Sequence, residues 1–256
     1  MIRLIASDID GTLLQNGATE IPPEIFDHIR RLEKKGVLFC PASGRQYTSL
    51  RRLFAPVADQ VPFLCENGAV VYGPGSPGPI LSKTAMDRRL SEELCTEILA
   101  LPETEVLISG ADVSYLCPKA PGLETQIQWF LGNRTAVLPA PADVPEDIIK
   151  VSAYCPKGIE AAKAALFPKW EQHFRCAVAG AVWLDFTLAD KGLGGSRLCE
   201  ALGLRLEEVM AFGDNYNDIS MLEQVGHPYL MEGAAPALRA RFSTRCRTVA
   251  EVLETL

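Results

Sequence analysis

Two stretches of the chain, one toward each end, alternate short apolar runs with amphipathic helical patterns. This alternation narrows the choice of fold more than any other feature. Residues 2–7 are an apolar, β-rich run. The segment PPEIFDHIRRLEKKG then opens on proline, carries Ile25, Ile29 and Leu32 at helical spacing, and stops at Gly36. The strand-like VLFCP (37–41), a helical pattern over 46–54 and PFLC (62–65) continue the rhythm. It resumes with a helix over 193–202, VMAFG (209–213), a helix over 218–225, YLM (229–231) and a last helix over 249–256. Strand–helix alternation of this kind predicts an α/β core, a doubly wound, Rossmann-like parallel sheet with helices on both faces.

Between these halves the texture changes. GPGSPGP (73–79) is rich in turn formers, and a helix over 88–101 leads into EVLISG and DVSYLC, which read as a hairpin. A helix near 123–131, the strand KVSAYC, a helix from Gly158 to about Phe167, and a second hairpin of FRCAVAG with AVWLDFT follow. Helices beside a largely antiparallel sheet make an α+β unit. The expected organisation is therefore an α/β core of residues 1–84 and 185–256, with an α+β cap inserted at 85–184. No internal repeat or low-complexity tract interrupts it.

Bulk charge excludes some classes of function. The chain of 256 residues carries a formal net charge of −7 and no run of five lysines or arginines. Neither nucleic acid nor an anionic membrane is an expected partner. No stretch approaches the roughly 18 apolar residues of a membrane span, and the first residues lack a secretory signal pattern, so a cytoplasmic protein is expected. Eight cysteines lie scattered without a C-x-x-C pair and read as free thiols.

In open α/β sheets ligands bind beyond the carboxyl ends of the strands. The residues there are Asp8, Asp10, Gly11 and Thr12 after the first run, and Ser43, Gly44 and Arg45 after the second. Gly213, Asp214, Asn215, Asn217 and Asp218 follow VMAFG, and Lys191 opens the helix preceding that strand. Two carboxylates about 4 Å apart repel by roughly 4 kcal/mol at an effective dielectric near 20. Four in one cleft call for a counter-charge, and Mg²⁺ suits an all-oxygen ligand set completed by a substrate phosphate. Lys191 adds a point charge, Gly11 and Gly44 admit close approach of backbone N–H groups to an anion, and Ser43 adds a hydroxyl. This is equipment for phosphoryl transfer. Taken singly, each piece has a plainer reading: DIDGT as a turn, PASGR as a loop, Lys191 as a solvated helix start, GDNYND as part of a calcium loop that lacks its closing Glu. Asp185 in WLDFT reads as a surface charge on an edge strand, and His28, His173 and His227 have no partner spacing.

Together the motifs resemble the haloacid dehalogenase-like phosphatase superfamily, in its Cof-type sugar-phosphatase group. DIDGT (8–12), ASGR (42–45), ENGA (66–69), Lys191 in DKG, and GDNYND (213–218) are similar to that group's signatures, in order. The resemblance implies that Asp8 attacks phosphorus to form an aspartyl-phosphate, and that Asp10 protonates the leaving oxygen and then activates water. It implies Mg²⁺ held by Asp8, the Asp10 carbonyl and Asp214, with Asp218 nearby. Ser43 and Lys191 would hold the phosphoryl oxygens, with Gly44 and Asn217 in support and Thr12 stabilising its own turn. The segment YLMEGAAPAL departs from the group at Glu232 and Gly233, which touches substrate specificity. The expected activity is hydrolysis of a small phosphorylated metabolite such as a sugar phosphate. A phosphomutase using the same intermediate, or a phosphorylation-switched signalling domain, are the alternatives.

Overall fold

Leu4–Ser7 form β1, buried at every position, as suits a strand covered on both faces. In the computed structural model, which describes all residues except 120, 126 and 128–131, β1 lies between two parallel neighbours. These are β2 (Leu38–Pro41) and β12 (Val209–Gly213), and β13 (His227–Met231) and β14 (Arg245–Cys246) continue the sheet beyond β12. The strand order is β14-β13-β12-β1-β2, all parallel, so β1 at the start of the chain joins the two ends of the sequence in one sheet.

Helix α1 (Pro23–Glu33) starts at the expected proline and buries Ile25, Ile29 and Leu32, the stripe that its spacing defines. Helix α2 (Tyr47–Leu53) follows β2. The strand expected at 62–65 forms as β3 (Phe63–Cys65) but does not extend the parallel sheet as a full ladder. It touches it through one parallel bridge, Ala42 to Leu64, and pairs antiparallel with β4 (Val70–Tyr72), which leads to β5 (Ile80–Lys83). An apolar run specifies burial on both faces but not the direction of its partner. Helix α5 (Lys191–Leu202) begins two residues before the expected stretch, and helix α6 (Ile219–Leu222) and helix α8 (Val249–Leu253) fall within theirs. Helix α7 (Pro236–Arg241) and the two-residue β14 are too short to leave a periodic trace.

The chain divides into two units, Met1–Ser82 with Asp190–Leu256, and Lys83–Ala189. A boundary at 184 would cut through β11 (Trp183–Thr187), so the inserted unit runs past the expected end. That unit is a six-stranded sheet in the order β10-β11-β9-β6-β7-β8, with β6 (Glu105–Ser109), β7 (Ser114–Leu116), β8 (Thr135–Val137), β9 (Lys150–Tyr154) and β10 (Arg175–Val178). All its pairings are antiparallel except β7 with β8. The helix expected at 123–131 lies partly outside the described residues. Helices α3 (Arg88–Ala100) and α4 (Glu160–Trp170) cover the face of Val106, Ile108, Val151, Ala153, Leu184 and Phe186.

Asp185 is a correction to the sequence reading. It stands on β11, which is flanked by β10 and β9 and is therefore no edge. Only 8% exposed, it accepts a hydrogen bond from Ser152 Oγ at 2.6 Å and lies 3.8 Å from Lys150 Nζ. The eight cysteines are free, and all but the half-buried Cys176 are buried.

Trp170 anchors the inserted unit. Fully buried, it stacks on Phe174 with centroids 5.8 Å apart and donates from Nε1 to Glu97 Oε2 at 2.8 Å. Trp170→Ala should cost about 3–5 kcal/mol, the range for emptying a large aromatic from a core. Denaturant unfolding followed by circular dichroism would check this.

Candidate active site

The register of three strands assembles the site. Ser7 pairs with Pro41 on one side and Phe212 on the other, so β1, β2 and β12 end at nearly one level. Asp8 N donates to Phe212 O at 3.0 Å and Ala42 N to Ser7 O at 2.8 Å, which carries the same alignment one residue past the strands. Asp8, Ser43 and Asp214, far apart in sequence, therefore emerge side by side.

At the centre lies Lys191, whose side chain is fully buried. Its Nζ donates to Asp8 Oδ1 at 2.5 Å and to Asp218 Oδ1 at 2.6 Å. Burial pulls the lysine pKa down, but Asp218 and Asp8 more than offset that and hold the ammonium charged. Asp218 is fully committed: its second oxygen, Oδ2, accepts from the backbone N–H groups of Asp214 and Asn215, each at 3.0 Å. It therefore acts as a strut between Lys191 and the loop, beside the acids expected to hold the metal.

Asp214 reaches the cluster from the other side. Thr12 Oγ1 donates to Asp214 Oδ1 at 3.0 Å, so this hydroxyl fixes an acid where the sequence reading has it stabilising its own turn. Gly11 sits at φ +99°, and a Cβ there would fall 2.3 Å from Asp214 Oδ2. Only glycine suits both the left-handed backbone and that close approach.

Asp8, Asp214 and Asp218 offer carboxylate oxygens that all lie within 4.8 Å of one another. One buried lysine against three acids leaves excess negative charge. Asp8 Oδ2 is buried and receives no hydrogen bond. Burial, only partly countered by Lys191 and reinforced by Asp218 and Asp214, pushes the Asp8 carboxyl up to about 7. Burial first, then Asp218, raises Asp214 as well. An all-oxygen set short of positive charge, with one buried oxygen lacking a donor, fits a hard divalent cation.

Asp10 has a different environment. It is exposed, and both its oxygens are taken by Arg45, with Nε to Oδ2 at 2.9 Å and NH2 to Oδ1 at 2.6 Å. The Arg45 backbone N–H donates to Ser43 Oγ at 3.2 Å. Ser43 is buried and Gly44 half-buried, while the exposed Asn217 donates from Nδ2 to Asn67 Oδ1 at 3.2 Å. Every expected site residue thus lies in the unit of Met1–Ser82 with Asp190–Leu256. Sequence reasoning gave no role to Arg45 or Asn67, although each sits inside a quoted motif, ASGR or ENGA.

The haloacid dehalogenase-like hydrolase family matches residues 5–251. The chain belongs to that family. It is 27% identical to the 5-amino-6-(5-phospho-D-ribitylamino)uracil phosphatase YbjI of Escherichia coli, over 93% of this chain and 88% of that protein. It is 25% identical to the pyridoxal phosphate phosphatase YbhA of the same organism, over 93% and 91%. A crystal structure from Eubacterium rectale, 30% identical, superposes with a TM-score of 0.88 over 99% of this chain and 98% of that one. The Cof-type phosphatase assignment and the parallel α/β core with an inserted α+β unit agree with these likenesses, and the enzyme is a phosphoric monoester hydrolase. No helix among the described residues is long and apolar enough to cross a membrane.

The raised Asp8 pKa has a signed consequence for stability. An acid whose pKa rises on folding, from 3.8 to about 7, leaves the native state holding the extra proton between those values. Its contribution is complete below about pH 4 and is lost as pH climbs through about 7. Without added metal, Asp8→Asn should therefore gain Tm relative to wild type at pH 8, and that advantage should be smaller near pH 5. Thermal melts of both proteins in chelator at the two pH values would check the sign.

Proposed function

We propose that this enzyme hydrolyses a small phosphorylated metabolite through an aspartyl-phosphate on Asp8, with Mg²⁺ as its cofactor. The observation that carries the reading is the Asp8 carboxylate itself. It is buried, oriented by Lys191 through one oxygen, and left without a hydrogen-bond donor on the other. Asp8, Asp214 and the carbonyl of Asp10 would hold the ion, which when bound neutralises the acidic cluster and polarises the phosphoryl group.

The chain's own groups then divide the work. Asp8 attacks phosphorus, and the bond from phosphorus to the ester oxygen breaks as Asp10 gives that oxygen a proton. Ser43 Oγ and the Lys191 ammonium donate to the phosphoryl oxygens, where charge is held in the transition state. Asp10, now ionised, takes a proton from water, the water oxygen attacks phosphorus, and Asp8 leaves as carboxylate with release of phosphate. Arg45 must let go of Asp10 before the first proton transfer, since its guanidinium occupies both carboxylate oxygens.

Asp8→Asn should abolish turnover of every ester, with no phosphoenzyme trapped. Asp10→Asn should lose roughly 10²-fold or more on an alkyl phosphate, whose alkoxide needs a proton, and much less in the first step on an aryl phosphate. A burst of aryl alcohol followed by slow turnover is expected, and equal loss on both esters without a burst would remove Asp10 from the acid–base role. Chelation should abolish activity and Mg²⁺ restore it, measured as phosphate release.

Substrate choice is assigned to the unit Lys83–Ala189. Relatives 27% and 25% identical to this chain carry the names of phosphatases for different esters, which supports a shared reaction with separately set specificity. In the inserted unit Lys150, Ser152 and Asp185 form a buried polar group. Replacing Lys150 and Asp185 together, so that neither charge is left buried alone, should reorder a panel of phosphate esters. An unchanged ranking in the folded double variant would remove this buried polar group from specificity.

A further inference from the structure

The motif ENGA has no part in the chemistry above, yet its backbone is the most unusual beside the site. Glu66 and Asn67 lie at φ +50° and +53°, and Gly68 at +93°. Three successive residues are left-handed, two of them with side chains that disfavour that region. Such conformations persist where the surroundings over-determine them, and they gather at functional sites.

The surroundings here are three parts of the phosphate site. Asn67 N donates to Ser43 O at 2.9 Å and Glu66 N to Arg45 O at 3.1 Å, so the loop bearing the hydroxyl and the guanidinium hangs on this turn. The Asn67 amide lies against Gly44, where a Cβ would meet it at 3.1 Å, and it accepts the amide hydrogen of Asn217 from the loop after β12. On the opposite side Gly68 meets the first turn of α5, the helix that Lys191 opens. A Cβ on Gly68 would fall 2.2 Å from Asp190 O, and one on Gly194 would fall 2.6 Å from Gly68 Cα. Backbone rests on backbone there, with no flexible side chain between to absorb a shift.

We infer that the left-handed turn Glu66–Gly68 is a positioning element of the phosphate site, and that the Asn67 amide, coupled to Asn217, fixes the Ser43–Arg45 loop for a phosphate. The inference rests on the reading of this site as one that binds phosphate. Asn67 is a positioning residue: it acts through Gly44, Ser43 and Asn217. Asparagine suits the place because it tolerates the left-handed region better than most residues and its amide serves both neighbours.

Asn67→Gly separates the two functions of the residue, since glycine keeps the backbone and loses the amide. The Kd of inorganic phosphate, measured by calorimetry on the Mg²⁺-loaded protein, should rise about tenfold or more, the scale of one lost hydrogen-bonding group. The Tm should not fall, because glycine relieves the backbone. Asn217→Ala, at an exposed position, should raise Kd similarly, and the double variant should be no weaker than the weaker single one. A Kd within about twofold of wild type in folded Asn67→Gly, or additive losses in the double variant, would overturn the inference. Should Asn67→Gly fail to fold, Asn67→Ala decides in its place, since it too removes the amide: a raised Kd in the folded variant supports the inference and an unchanged one refutes it. Asp8→Asn turnover is the control for the underlying reading. If it retains activity, or wild type binds no phosphate, that reading falls; if wild type binds and Asn67→Gly binds equally, only the inference falls.

Discussion

A fully buried ammonium held between two carboxylates is the interaction on which the site depends. Taking a lysine out of water costs several kcal/mol, and its place at the first turn of a helix adds an unfavourable dipole for a cation. Asp8 and Asp218 offset both, and of the two Asp218 is also tied to the chain through its other oxygen, while Asp8 Oδ2 receives no donor. Asp218 spends its other oxygen on the N–H groups of Asp214 and Asn215, so the same carboxylate that holds the lysine shapes the acidic loop. Asp190, one residue earlier, caps α5 by accepting from Leu193 N at 2.8 Å, which fixes where that helix begins and hence where the lysine starts its reach. Charge, loop and helix start are thus one construction, and losing any member would strand another in a dry place.

Much of this was legible in the sequence because it follows from period and position. The stripe of Ile25, Ile29 and Leu32 has a helical spacing, and the runs at 2–7, 37–41 and 209–213 are short and apolar. Residues following such runs share one edge of a parallel sheet once the strands align. The alignment of Ser7 with Pro41 and Phe212 is what turns scattered motifs into a site. What the sequence conceals is set by partners distant along the chain. The alternation in WLDFT puts Asp185 opposite Leu184 and Phe186, but only Ser152 and Lys150, more than thirty residues earlier, make its burial tolerable. β3 looked like another parallel strand because apolar runs carry no direction, and it turned instead to β4. Nor could ENGA disclose its left-handed backbone, since that conformation is imposed by the loop and helix packed against it.

Asp10 and Asp8 stand two residues apart and live in different media, which is the physical basis for giving them different tasks. Asp8 ends a buried strand, faces a buried lysine, and is crowded by two other acids. Asp10 has passed beyond the sheet and meets solvent and a guanidinium. A nucleophile needs its lone pairs aimed and poorly solvated, and burial supplies both. The rim of the site leaves Asp10 in reach of solvent, though Arg45 holds both its oxygens. Arg45 joins the two regions: its backbone N–H rests on Ser43 Oγ while its side chain holds Asp10. A phosphate that draws on the Ser43 hydroxyl and attracts the guanidinium would act at both ends of one residue. Under the proposed mechanism its arrival would loosen Asp10 when an acid is wanted, which would join the two-residue spacing to the arginine beyond Gly44.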